Sequence, residues 1–205
     1  MGDEKTIVEK QYKVLRKNFM GYLLPTEPLS LSTIGIFAAL TCVITMVIAF
    51  PIPATNGFIN IGDAIVMITG LLFGPLIGGI SGGVGSALAD IILGYTIYAP
   101  ATLIIKGIEG FLVGLIADPK EYRLRIDYRD IVGVVVGGLF MVCGYFVYEI
   151  MIYGVPPALY EFILNSIFQF GLGATIAILF THFTRKNLNE NLPNVFEKIF
   201  IIKED

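Results

Sequence analysis

The sequence predicts an all-α membrane protein: one bundle of six transmembrane helices with both termini in the cytoplasm. Three observations carry that prediction. First, the 205 residues are 55% hydrophobic and only 15% charged, whereas soluble domains carry about a quarter charged residues; the mean hydropathy is +0.77. Second, six apolar runs follow one another, over residues 31–50, 62–74, 76–95, 99–117, 131–153 and 158–184, and a spanning helix needs about 20 mostly apolar residues. Third, thirteen of the fourteen Lys and Arg residues lie in three places. No Pro/Ser-rich linker divides the chain. Residues 1–205 therefore read as a single membrane domain, with a segment 1–28, a bundle 29–184 and a tail 185–205.

The segment 1–28 mixes charges and carries no secretory signal pattern. Val8, Tyr12, Leu15, Phe19 and Tyr22 recur at helical spacing between lysines, which predicts a cytoplasmic amphipathic helix lying in the interface. The tail segment 194–205, NVFEKIFIIKED, reads the same way. A partner-docking face is the other reading of both. The first run, 31–50, is a full span. The second is short and is divided from the third only by Gly74-Pro75. A single helix over 62–95 would be far longer than a bilayer needs, and Pro75 would remove a hydrogen bond in its middle. Two spans are therefore expected.

Charge fixes the count. Five basic residues precede the first span, four lie in 118–130 and four follow the last span, while 51–61, 96–98 and 154–157 contain none. Basic loops stay in the cytoplasm. Six spans put all three basic segments inside and all three bare loops outside; five would place 118–130 outside. The expected location is the plasma (cytoplasmic) membrane, crossed several times.

Small residues mark helix contacts in lipid. Gly70, Gly74, Gly78, Gly82 and Ser86 recur every four residues, and Gly79, Gly83 and Ala87 form a second row. Gly110 with Gly114, Gly133 with Gly137, Gly173 with Ala177 and Gly35 with Ala39 extend the pattern. The density over 70–94 implies a tight two-helix hairpin. Cys42 and Cys143 both fall in apolar runs, so neither a disulfide nor a metal site is expected.

The fourteenth basic residue is Lys106, near the middle of span four, in IIKGIEG. A charge at the bilayer centre costs on the order of 2.5–3.5 kcal/mol on insertion scales. Glu109 follows at i+3, on the same helix face, and pairs with it. Pairing lowers the cost, yet two leucines would be cheaper. The pair is either a structural ion pair or the polar floor of a ligand site. Other polar residues favour a site. Asn60 and Asp63 open span two, Asp90 lies in the outer half of span three, and Tyr95 and Tyr98 flank the next loop. Tyr145, Tyr148, Glu149 and Ile152 share a face of span five, and Glu161, Asn165, Phe168 and Gln169 share a face of span six. This collection describes a pocket open to the outside and floored at mid-depth. Aromatic walls with a few convergent polar groups suit a flat heterocycle. The candidate substrate-binding residues are Asn60, Asp63, Asp90, Tyr98, Lys106, Glu109, Tyr148, Glu149, Asn165 and Gln169. Lys106→Ala is expected to abolish binding without unfolding the bundle.

No G-x-x-x-x-G-K-[ST] occurs, so the chain carries no P-loop, and no Cys/His cluster has metal spacing. Neither a cofactor nor a nucleic-acid partner is expected. Residues 79–82, GISG, are similar to the serine motif of rhomboid intramembrane proteases, and His182 lies on the last span. A serine nucleophile needs a base within hydrogen-bond reach. Here the GISG stretch has a packing explanation, and the rhomboid-like Ala-His on the last helix is missing. No enzyme activity is expected.

Residues 60–114, NIGDAIVMITGLLFGPLIGGISGGVGSALADIILGYTIYAPATLIIKGIEGFLVG, resemble the substrate-binding S components of energy-coupling factor (ECF) vitamin transporters. NIGDA, the LLFGP break, GVGSALAD and IIKGIEG carry the resemblance, over about a quarter of the chain. It implies six helices with a vitamin site near the outer face. It also implies partners: a transmembrane coupling protein and two ABC-type ATPases, which agrees with the missing P-loop. In that family, small residues on the first helix dock the coupling protein in an alanine-x-x-x-alanine pattern. Here the matches are Gly35 with Ala39, or Ala38 with Cys42, and both depart from it. Riboflavin is the vitamin the resemblance favours, with thiamine precursors and pyridoxine as alternatives. A stand-alone proton-coupled secondary transporter, with Asp90, Glu109 or Glu149 as proton carrier, is the rival reading.

Overall fold

The computed structural model describes residues 18–121, 125–192 and 199. A two-residue hairpin, β1 (Asn18–Phe19) and β2 (Tyr22–Leu23), leads into α1 (Pro28–Val47). A second hairpin follows, β3 (Ala49–Ile52) and β4 (Gly57–Asn60). The bundle continues with α2 (Gly62–Phe73), α3 (Pro75–Leu93), α4 (Ala99–Ala117), α5 (Tyr128–Tyr153), α6 (Val155–Leu164) and α7 (Gly171–Asn191). Six residues in π-helical geometry, Asn165–Phe170, join α6 to α7 into one continuous rod.

Proline and glycine punctuate this order. Pro28, Pro75, Pro100 and Pro156 stand in the first turns of α1, α3, α4 and α6, where the missing N–H costs nothing. Gly74 separates α2 from α3 with φ +85°, and a Cβ there would fall 2.2 Å from the Tyr22 ring. Glycine alone satisfies both demands. α5 starts in a capping box: the Asp127 side chain accepts from the helix backbone, and Asp130 Oδ2 accepts from Asp127 N–H at 2.9 Å.

Among the described residues, five helical stretches are long and apolar enough to cross a membrane: α1, α3, α4, α5 and the rod Val155–Leu188. α2, with 12 residues, covers about 18 Å and is buried along nearly its whole length. The chain is an all-α, multi-span membrane bundle whose predicted runs match these elements closely. Leucines, isoleucines and valines cover its outward faces, as lipid contact requires. Cys143 belongs to that outward surface, and Cys42 is buried.

The glycine rows let backbones touch. A Cβ on Gly110 would fall 2.4 Å from the Gly78 carbonyl oxygen, and one on Gly114 would fall 2.3 Å from the Gly74 carbonyl carbon. A Cβ on Gly70 would meet the Gly110 oxygen at 2.8 Å. The tight hairpin of α2 and α3 is therefore one side of a three-helix seam that receives α4.

The two ends of the bundle differ. At one end, Tyr22 Oη donates to Asp118 at 2.7 Å and Lys120 Nζ donates to the Met20 carbonyl at 2.6 Å. Arg185, on α7, donates to both Asp130 oxygens at 2.8 Å and to the Leu71 carbonyl at 3.0 Å. Lys120 and Arg185, from the second and third basic segments, both lie here. At the other end lie the β3–β4 hairpin and the 94–98 and 154 turns.

One expectation is corrected. Phe19 and Tyr22 belong to the first hairpin rather than to an interfacial helix: Met20 and Gly21 both take positive φ and fold the chain back. Val8, Tyr12 and Leu15 lie outside the described residues, as does the tail segment 194–205 except Ile199. The bare loop 51–61 is a strand hairpin, registered Ala49↔Asn60 to Ile52↔Gly57, with Asn56 at φ 49° in its turn.

Candidate substrate cavity

Lys106 is the deepest charge. Its buried Nζ pairs with Asp63 Oδ1 and, at 3.2 Å, with Glu109 Oε2. Asp63 comes from the start of α2, whereas Lys106 and Glu109 sit one turn apart on α4. All three are shut from solvent. The Lys106 ammonium also lies 5.6 Å from the Tyr145 ring centroid. One cation between two carboxyl groups is a charge-dense knot in an apolar setting, where attraction is strong and an orphaned charge is expensive.

Lys106 forms part of the wall of a cavity of about 370 Å³, open space at its mouth included. Phe58, Tyr98 and Tyr145 supply its aromatic surfaces. Thr45, Ser86 and Thr102 supply hydroxyls, and Asn60, Asp90, Glu161, Asn165 and Gln169 supply the remaining polar groups. The lining comes from α1, β4, α3, α4, α5 and the α6–α7 rod, so only the assembled bundle builds it.

Short hydrogen-bond chains hold these groups. Tyr145 Oη donates to Thr102 Oγ1 at 2.9 Å, and Thr102 in turn bonds Asp90. Asn60 Oδ1 accepts from Gly62 N–H at 2.8 Å, and Asn60 N–H donates to Gln169 Oε1 at 3.3 Å. Asn165 and Gln169 both sit in the π-helical segment, whose wider turn re-aims side chains and recurs at functional sites. The hairpin closes over the cavity. Thr55 Oγ1 donates to Glu161, and the Thr55 carbonyl accepts from Tyr98 Oη at 2.9 Å. Glu161 also bonds Asn165 and meets the Glu149 carboxyl. Burial, with Glu161 and Glu149 nearby, holds the Tyr98 phenol well above its usual range, so it remains a donor to the hairpin.

Of the ten residues singled out from sequence, Asn60, Asp90, Tyr98, Lys106, Asn165 and Gln169 line the cavity. Asp63 and Glu109 stand behind Lys106, and Glu149 stands behind Glu161. Tyr148 is half-buried and donates to the Ile97 carbonyl, with its ring 5.7 Å from that of Tyr98; it braces the wall instead of forming it. Phe168 and Ile152 turn outward. The lining residues Thr45, Phe58, Ser86 and Thr102 are not among the ten, and Ser86 reads from the sequence only as a packing residue. Helical hydroxyls usually bond their own backbone and carry no signal. Phe58 was legible, because Asn56-Gly57 is a hairpin turn signal.

The four small residues on α1 separate. Gly35 and Ala39 are exposed, and nothing lies within 4 Å of a Cβ on Gly35. Ala38 and Cys42 are buried, and the Ala38 carbonyl packs against Gly85 of α3. Only the first pair presents a surface. Ser81 is buried and donates to the Ile77 carbonyl at 2.6 Å, while His182 is exposed on α7 beside Phe183. Among the described residues, Ser81 bonds only the backbone of its own helix.

Residues 27–186 match the family described as ECF-type riboflavin transporter, S component. The chain belongs to this family of ECF-type S components, membrane-embedded substrate-binding subunits of transporters and not an enzyme class. It is 46% identical over 127 residues to an uncharacterized protein of Pyrococcus woesei, covering 62% of this chain and 82% of that one. It is 33% identical over 115 residues to the thiamine precursor transporter HmpT of Lactococcus lactis, covering 56% of this chain and 66% of the relative. The crystal structure of an S component for biotin from an ECF-type ABC transporter superposes with a TM-score of 0.57 at 23% identity, over 83% of this chain and 95% of that one. That likeness shows a shared fold.

Proposed function

We propose that this chain captures a flat heterocyclic vitamin or vitamin precursor in the cavity beneath the β3–β4 hairpin and delivers it inward. A transmembrane coupling protein and two ABC-type ATPases complete the importer. The observation that carries the reading is the cavity itself: three aromatic residues and convergent polar side chains from six elements, with Lys106 held at its floor. The family's description supports riboflavin, and the HmpT relative's name supports a thiamine precursor. The end bearing the basic segments faces the cytoplasm of the cell that houses it, with both termini, by the positive-inside rule. Gly35 and Ala39 on the outward face of α1 serve as the docking patch for the coupling protein. The S component needs its ATPase partners for uptake, which separates it from a proton-coupled carrier.

The test uses the protein purified alone in mild detergent. It is denatured, and any released small molecule is identified by mass spectrometry. A stoichiometric vitamin or precursor supports the proposal. Uptake into vesicles by this chain alone, driven by a proton gradient, overturns it.

A further inference from the structure

We infer that the ligand carries a cationic nitrogen, of the amine, amidine or protonated aminoheterocycle kind, held by Asp90, Glu161 and Asn165 on the hairpin side of the cavity. This rests on the reading of the cavity as a substrate site. Five carboxyl groups surround it: Asp63, Asp90, Glu109, Glu149 and Glu161, all buried. Among the described residues, the one cation in the cavity wall is Lys106, and it is already matched twice over, by Asp63 and Glu109. Nothing positive remains for Asp90, Glu149 and Glu161.

The free hydrogen-bonding atoms point the same way. Thr102 occupies one side of Asp90, and Asp90 Oδ2 has no hydrogen-bond partner. The Asn165 side chain bonds Glu161. A carboxylate requires a donor, so the Asn165 amide N–H₂ is used there and Oδ1 is left without a partner. Both residues are 3% exposed, and both line the cavity. What the cavity offers is bare acceptors and carboxyl groups with no cation beside them, on α3 and on the α6–α7 rod. Buried acceptors without donors are costly, and a buried carboxylate without a cation more so. A ligand with a positively charged N–H group supplies both. Tyr98, Tyr145 and Phe58 line the same cavity, and aromatic faces attract cations. A neutral ligand would satisfy the acceptors and leave the carboxyl groups without a cation.

The experiment presents the full chain, purified ligand-free in detergent, with an equimolar mixture of thiamine, pyridoxamine, riboflavin, pyridoxine and biotin. Whatever survives gel filtration is identified by mass spectrometry. Retention of thiamine or pyridoxamine is expected. Retention of riboflavin, pyridoxine or biotin instead overturns the inference and leaves the substrate-binding reading standing. Retention of none overturns the inference; the substrate-binding reading then stands or falls with the molecule released from the denatured protein. Titrations of the retained compound then use Asp90→Asn and Glu161→Gln. Each is expected to weaken binding about ten- to hundred-fold, the worth of one charge-assisted hydrogen bond. Melting curves check that each variant remains folded. Unchanged affinity in both folded variants overturns the assignment of these residues.

Discussion

Replacing Lys106 by methionine removes the cation from between Asp63 and Glu109 and leaves two buried carboxyl groups facing an apolar side chain. Lys106 is 2% exposed, and its two partners are fully buried, so water cannot make good the loss. Breaking a buried ion pair from one side costs about 3–5 kcal/mol. On the scale of soluble chains this size, roughly 2–4 °C per kcal/mol, the melting temperature should fall by roughly 6–20 °C. The sequence by itself, seeing only the Glu109 partner, predicts lost binding with the fold kept; the Asp63 contact adds a stability cost. A second variant separates the two effects. Asp63→Asn, Lys106→Met and Glu109→Gln together remove every charge of the knot and should recover most of the lost stability. Ligand binding should remain impaired, because Lys106 also forms part of the cavity wall. The assay is thermal unfolding in detergent beside equilibrium binding of the co-purified ligand. A Lys106→Met protein that melts at the native temperature would refute the buried-knot argument, as would a triple variant no more stable than the single one.

Four further outcomes are expected. Gly114→Ala drives a Cβ into the Gly74–Pro75 backbone at 2.3–2.5 Å and should cost about 1–3 kcal/mol, whereas Gly35→Ala should melt as the native chain does; equal melting of the two would contradict the seam. Arg185→Met strands Asp130 and should lower stability by about 3–5 kcal/mol, read by thermal unfolding. Thr55→Val removes the hairpin's bond to Glu161 and should speed ligand release about tenfold, given roughly 1.5–3 kcal/mol for a bond to a charged group; an unchanged dissociation rate in stopped flow would count against the hairpin as a cover. Ser81→Ala removes only a bond to its own helix and should leave ligand binding intact, while loss of a proteolytic activity on that substitution would revive the serine-hydrolase reading.

Particular residues show how far the sequence reached. The spans were legible because lipid demands long apolar runs, and because Pro75 would remove a hydrogen bond from the middle of a longer helix. The Lys106–Glu109 pair was legible because i and i+3 always share a helix face. Asp63 was noticed, but not its partner, since α2 and α4 are separated along the chain by α3 and only the fold brings them together. Glu161 and Tyr145 were placed on the right helix faces, yet their neighbours Thr55 and Thr102 were not, because those contacts cross from one element to another. Phe19 and Tyr22 fit a helical period as well as they fit a hairpin, and only the Met20–Gly21 turn decides between them.

By itself, then, the sequence determined the local quantities: six apolar runs, their breaks, the grouping of basic residues, and the burial of one lysine with a glutamate on its own face. Each follows from composition or from a fixed helical period. The tertiary structure alone decided which groups meet. It set Asp63 against Lys106, turned Gly35 outward and Ala38 inward, and laid a strand hairpin across the cavity so that Thr55 reaches Glu161 and Tyr98. Those contacts depend on how helices with similar apolar faces rotate and seat against one another. That is settled by the glycine seam between α2, α3 and α4, where backbones touch in one register.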